Sequence, residues 1–208
     1  MTKEQIENIL CHYLGALKVL WLPYGLAYDD DTNGHVDNIA TFVKPAEIVL
    51  SWTDNTDDEE NQKRCKAAYD YLCNEVDAKK RKLIIHKLHL PKPMHYTKEE
   101  VSTLDVAEPY EKEECKNLQE EGRDNLESIA NRIVGERLAG SYVNYYLANE
   151  AIVLPQFGDD EFDERAIGTM KSIFPSKEVI GVYSREVLLG GGNIHCITQQ
   201  LPYFLKTY

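Results

Sequence analysis

Basic charge is what this sequence is shortest of: 23 lysines and arginines stand against 35 aspartates and glutamates, for a net charge of −12. A field of that sign repels phosphate backbones and anionic lipid and draws cationic ligands, so nucleic acid is excluded as a partner. Paired thiols are also lacking. The five cysteines, at 11, 65, 73, 115 and 196, form an odd set with no Cys-x-x-Cys spacing, which argues against a disulfide framework. No apolar run approaches the roughly 20 residues that a membrane span needs. The opening Met-Thr-Lys-Glu-Gln-Ile has no apolar stretch of the secretory kind. Free thiols and no leader lead us to expect a soluble protein of the reducing cytoplasm.

What is present is enough for one large domain or two small ones: 208 residues, 43% of them hydrophobic. Residues 2–14 carry Thr2 as an N-cap and apolar Ile6, Ile9, Leu10 and Tyr13 at helical spacing, with Gly15 as the stop. Residues 18–22 read as a short strand. Two apolar runs, 39–43 and 48–52, flank Lys-Pro-Ala-Glu as a hairpin, followed by a helix over 58–74 and a buried strand over 83–88. The order returns as strands over 142–148 and 151–155, a helix over 160–173 and a strand over 179–183.

A ββαβ unit used twice points to an α/β propeller with a helix in each blade. The chain then divides into the end of one blade and a loop (1–33), a complete blade (34–90), a charged insertion or loop (91–137), a second complete blade (138–186) and the start of a closing blade (187–208). Within the insertion, 111–119 is a dense run of Glu and Lys, and the stretch to Arg132 is expected to form a solvated surface helix.

Chemistry concentrates near the C-terminus, in Gly190-Gly191-Gly192-Asn193-Ile194-His195-Cys196. Three glycines in a row mark backbone that turns sharply or approaches a ligand closely, and the four residues after them alternate as a short strand would. A cysteine is often only a small buried hydrophobe. Yet Gly34-His35-Val36-Asp37-Asn38 has the same look at the entrance to the first complete unit. Equivalent positions of a propeller converge on its axis, which would bring His35 to Cys196.

An imidazole beside a thiol makes an activated nucleophile. Asp37, two residues from His35 on an extended segment, would point the same way and could orient the imidazole or hold a planar cation through paired hydrogen bonds. A guanidinium substrate fits that set. As metal ligands, His35, Asp37, His195 and Cys196 match no zinc spacing. His12, His86, His89 and His95 read as surface or core residues. Asp29-Asp30-Asp31 lacks the glycine and glutamate of an EF-hand and reads as a solvated turn or a cuff for a substrate amine. The second complete unit shows no catalytic-looking residue at its entrance.

Five ordered segments then carry a resemblance: WLPYGLAYDDDTNGHVDN (21–38), VLSWTD (49–54), GERLAGSYVNYYLAN (135–149), LPQFGD (154–159) and GGGNIHCITQQLP (190–202). They resemble the agmatine deiminases, or agmatine iminohydrolases, of the bacterial-type peptidylarginine deiminase family, over nearly the whole chain apart from roughly 108–133. The resemblance implies a five-bladed α/β propeller of pentein type, of which this chain would be the C-terminal portion, about three blades. It implies hydrolysis of agmatine to N-carbamoylputrescine and ammonia, in putrescine metabolism, with no metal and no organic cofactor.

By the same resemblance Cys196 is the nucleophile that becomes an amidino-cysteine, and His35 is the acid and base. Asp37 binds the guanidinium, Asp31 lies near the substrate's ammonium, and Gly190, Gly191 and Gly192 let the backbone close around the guanidinium. Family members carry two further pocket carboxylates on their first two blades, which this chain does not supply. A complementing N-terminal portion or a homo-oligomer is therefore expected as a partner. A peptidyl- or free-arginine deiminase, and a non-catalytic remnant that pairs with a complete deiminase, are the competing readings.

Overall fold

A computed structural model of the chain describes residues 1–104 and 132–201. Helix α1 (Lys3–Leu14) starts where the sequence places it: the Thr2 hydroxyl accepts from the Gln5 amide while the Gln5 side chain accepts from the Thr2 amide, and Gly15 ends the helix in the left-handed region at φ 64°. Residues 18–22 are not a strand. Their polar groups go to side chains instead of a ladder: the Trp21 amide donates to the Tyr71 hydroxyl, and the Lys18 amine reaches Glu75 and the Val76 carbonyl. With no strand alongside, an extended segment cannot pair.

The first unit opens with a single helical turn, α2 (Val36–Ile39), followed by β1 (Ala40–Lys44), β2 (Glu47–Trp52), α3 (Glu59–Cys73) and β3 (Ile84–His89). β1 and β2 run antiparallel with Ala40 opposite Leu50, and β2 pairs parallel with β3 from Glu47–Ile84 to Trp52–His89. After α4 (Lys98–Leu104) the second unit repeats this with β4 (Tyr146–Leu147), β5 (Ala151–Gln156), α5 (Asp160–Ile173) and β6 (Glu178–Tyr183), antiparallel then parallel. A last short turn of helix, α6, spans Arg185–Leu188.

The strand expected over 142–148 shrinks to two residues. Ser141 to Tyr145 are buried, but their backbone serves other partners: the Ser141 hydroxyl accepts from the Val143 amide, and the Asn144 carbonyl accepts from the His195 amide.

β2 reads as a continuous apolar run because both faces of its sheet are covered. Ile48 and Leu50 pack with Ala68 and Leu72 of α3, together with the half-buried Leu20 and Leu22. Val49, between them, joins Val43 and Leu88 in the larger core that holds Ala166, Met170 and Ile173 of α5. The first sheet is thus clamped between its own helix and that of the second unit, which fixes the two units against each other.

The described ends of 91–137 are not a solvated loop. Tyr96, Val101 and Leu138 lie in the main core, and the Tyr96 hydroxyl donates to the Leu189 carbonyl. Arg185 grips Glu100 of α4 through two hydrogen bonds of 2.7 and 3.1 Å. The acidic run 111–119 and the helix expected up to Arg132 fall on residues 105–131, outside the described part.

The Arg185 guanidinium, aided by the Thr97 backbone and hydroxyl, holds the Glu100 carboxyl at about 2, well below its ordinary 4.5. A depressed carboxyl stabilises the fold above its unfolded value and loses that contribution as pH falls toward the folded one. Glu100→Gln should therefore lower stability at pH 7 by on the order of 1 kcal/mol, as for a well-aligned, partly exposed Arg–carboxylate pair. Urea titrations should show the gap between wild type and variant closing below pH 4.5 and gone near pH 2.

Candidate active site

The loop that leads to α2 is built to hold two side chains still. Gly25 and Gly34 press backbone to backbone: a Cβ on Gly25 would lie 2.5 Å from the Gly34 Cα. Between them Asp29, 4% exposed, accepts from the Asn38 amide at 2.9 Å and from the Thr32 hydroxyl. Asp29 is accordingly a buried structural residue and not part of a solvated turn, whereas Asp30 is exposed and Asp31 partly so. His35 takes the N-cap position and Asp37 the first turn of α2, so the expected extended segment is a helical turn. Their side chains still lie together, with Nδ1 of His35 3.7 Å from Oδ1 of Asp37.

Residues 193–196 form a tight turn, not a strand. The Asn193 side chain accepts from the Ile194 amide, the Asn193 carbonyl accepts from Ile197, and the Thr198 amide and hydroxyl both donate to the His195 carbonyl. This turn aims Cys196 at the first unit. A ligand nitrogen of His35, a carboxylate oxygen of Asp37 and Sγ of Cys196 all lie within 4.8 Å of one another. The sulfur is 3.2 Å from Oδ2 of Asp37, to which His195 Nδ1 donates at 2.9 Å.

One member of this cluster escaped sequence reasoning. Asn144, completely buried, directs its amide nitrogen at Asp37 Oδ2 (3.0 Å), Asn38 Oδ1 (2.8 Å) and Cys196 Sγ (3.1 Å). Its carbonyl oxygen accepts from the His195 amide at 2.9 Å and the Cys196 amide at 3.4 Å. The signal was in the spacing. Gly34, Gly140 and Gly192 are each followed four positions later by Asn38, Asn144 and Cys196, so the second unit's entrance does carry a polar residue at the point of convergence.

The glycine triplet has divided duties. A Cβ on Gly192 would sit 2.8 Å from both Cβ and Sγ of Cys196, so only glycine leaves room for the thiol. Gly191, at φ 89°, abuts the Asp31 side chain, while Gly190 meets only the Val187 carbonyl. The Asp31 carboxylate is paired with Arg132 and lines a cavity of about 30 Å³ shared with Tyr28, Tyr96 and Arg137, a lining that does not include Cys196.

Packing around the sulfur pushes the Cys196 thiol up from its ordinary range, and the Asp37 carboxylate adds to this. The Asn193 backbone and the Asn144 amide act the other way. Cys65, by contrast, is sealed under α3 and pushed up to about 12, which leaves it inert. His86 pairs with Glu47 and His89 with Asp54, away from this cluster.

A thiol, two imidazoles and a carboxylate lie around one point, where the entrances of the two units meet the turn at residues 193–196. Residues 1–202 match the Porphyromonas-type peptidyl-arginine deiminase family, and the chain belongs to it. It is 46% identical over 203 residues to the agmatine deiminase of Medicago truncatula, covering 97% of this chain and 49% of that protein. Among solved structures, one of the agmatine deiminase of Enterococcus faecalis catalysing its reaction matches with a TM-score of 0.77 and 35% identity, over 97% of this chain and 49% of that one. The chain thus spans about half the length of the curated relatives it matches. It has the family's α/β fold, with two three-stranded sheets that do not close into a full propeller among the described residues. No described helix is long and apolar enough to cross a membrane.

Two substitutions test this geometry. Gly192→Ala should shift the thiol and slow site-resolved alkylation of Cys196 by roughly 5- to 150-fold, the counterpart of a steric cost of about 1–3 kcal/mol. Asn144→Asp keeps the shape and the acceptor but removes the donor and sets a second carboxylate beside Asp37. It should cost about 1–3 kcal/mol of stability and depress Cys196 alkylation at neutral pH.

Proposed function

We propose that the chain is the C-terminal, roughly three-blade portion of an agmatine deiminase, and that Cys196, His35 and Asp37 convert agmatine to N-carbamoylputrescine and ammonia. The observation that carries this reading is the meeting of His35 and Asp37 with a thiol 159 positions beyond Asp37 in sequence, inside a chain of this family.

Asp37 would receive the guanidinium nitrogens and hold the central carbon against Sγ. Arrival of that cation offsets the carboxylate's charge and so favours loss of the thiol proton, which packing otherwise opposes. The thiolate bonds to the guanidinium carbon, and the C–N bond breaks as His35 gives a proton to the departing ammonia. Water then attacks the amidino carbon while His35 takes its proton. The C–S bond breaks, releasing the ureido product and the thiolate.

Asn144 holds the sulfur and the carboxylate in one frame, and Gly192 gives the thiol its room. Asp31, already neutralised by Arg132, could meet an ammonium only by exchanging that partner. Within this reading it steadies the glycine loop through Gly191. The agmatine deiminase of Medicago truncatula, 46% identical over 203 residues, favours agmatine over arginine.

The test is a ureido-product assay with agmatine and with free arginine, on this chain alone and mixed with a polypeptide that supplies the other half of the relatives' length. N-carbamoylputrescine from agmatine is expected in the mixture, abolished in Cys196→Ser. Asp37→Asn should raise KM by roughly 10- to 150-fold, the equivalent of one charged hydrogen-bond set of about 1.5–3 kcal/mol. Absence of product in both preparations would overturn the catalytic reading, and product from arginine alone would overturn the substrate.

A further inference from the structure

Sequence spacing gave no reason to expect a metal site, because the donors that meet come from opposite ends of the chain. In space they form a mixed sulfur, nitrogen and oxygen set. Sγ of Cys196 lies 3.2 Å from Asp37 Oδ2, Nδ1 of His35 lies 3.7 Å from Asp37 Oδ1, and the three donors fit within 4.8 Å. Ligands placed tetrahedrally on zinc at 2.0–2.3 Å stand about 3.3–3.8 Å apart. The cluster therefore needs to tighten by about an ångström at its longest edge. His35 can supply that movement. It caps a four-residue helix and its side chain is 58% exposed, so rotation about its own bonds carries the ring inward without disturbing the core.

We propose that His35, Asp37 and Cys196 form a binding site for a zinc-class divalent cation, which holds the thiol in an unreactive, metal-bound state. The donor chemistry selects the ion: thiolate and imidazole suit zinc, whereas magnesium and calcium want oxygen alone. Three protein ligands leave a fourth position for water. The surrounding shell is of the kind that supports such a site, since Asp37 Oδ2 accepts from His195 Nδ1 at 2.9 Å and from Asn144 Nδ2 at 3.0 Å.

Charge points the same way. A thiolate this close to a carboxylate is two anions without a cation, and a divalent ion compensates both. On binding, the S–H proton leaves to solvent, a sulfur–metal bond forms, and nothing is oxidised or reduced. A guanidinium and the metal would claim the same carboxylate and sulfur, so occupancy by one excludes the other. In this way the inference builds on the proposed catalytic site, but it is read without turnover.

The experiment uses the full chain under a non-thiol reductant, with zinc chloride, cobalt chloride or magnesium chloride as the probe. Alkylation by iodoacetamide is followed at each cysteine by peptide mass spectrometry. Zinc should slow Cys196 alkylation more than tenfold, reversibly on chelation, while exposed Cys73 stays reactive and magnesium does nothing. Cobalt should give a thiolate-to-metal charge-transfer band that Cys196→Ser abolishes. His35→Ala, at an exposed side chain, and Asp37→Asn should each weaken zinc affinity by about tenfold or more.

Full reactivity of Cys196 in saturating zinc would overturn the proposal, as would protection that survives both substitutions unchanged. Zinc protection without ureido product would leave this site standing and the deiminase reading fallen. Product formation without zinc protection would do the reverse.

Discussion

The meeting of Asp37, His195 and Cys196 depends on one buried amide. Asn144 has two N–H groups facing three acceptors, Asp37, Asn38 and Cys196, and a carbonyl that receives the backbone of the thiol's own turn. Two protons cannot satisfy three acceptors at once, so the amide is left to follow whichever bears more charge. With the thiol protonated, Asp37 has the stronger claim. Once the sulfur ionises, the same N–H is already in place to serve it. Because the acceptors come from two distant stretches of chain and the amide from a third, the side chain beside the sulfur also joins the entrances of the two units to the turn at residues 193–196.

That junction needs a rigid support, and the sheets provide it. The first sheet is held between α3 on one face and α5 on the other, so the two units cannot slide without opening the main core around Val49, Leu88 and Met170. Outside this core, Ser51 reaches toward the junction: its hydroxyl donates to the Asn38 carbonyl and lies 3.0 Å from the Ser141 hydroxyl. Strand β2 thereby delivers its packing energy to the segment that carries His35 and Asp37.

Wherever hydrogen bonds are local, the sequence was legible. Helix α5 occupies the expected 160–173, α1 obeys its cap and its glycine stop, and both hairpin-and-helix units appear in order with parallel closing strands. Reading failed where the backbone's partners are distant. Residues 18–22 and 142–145 have strand-like composition but spend their polar groups on Tyr71, Glu75 and His195. Residues 193–196 alternate like a strand yet fold into a turn, because asparagine and threonine side chains compete for the backbone.

At the site, pairing Gly34 with Gly192 led to the expectation that His35 and Cys196 meet, and the structure brings His35, Asp37 and Cys196 within 4.8 Å of one another. Asn144 was passed over because an asparagine carries no nucleophile or acid to attract attention, although it stands in the same register.

Helix α1 adds a point about timescale. It is well capped at both ends yet buries none of its residues, and Tyr13 and Leu14 are 79% and 73% exposed. One indole hydrogen bond, from Trp21 Nε1 to Glu7, is its main tie to the rest of the described chain besides the covalent link. A helix of 12 residues without tertiary cover is marginal in water. Its amides should therefore exchange with solvent far sooner than those of β2 or β5, opening as an independent segment while the sheets and the thiol junction remain shut.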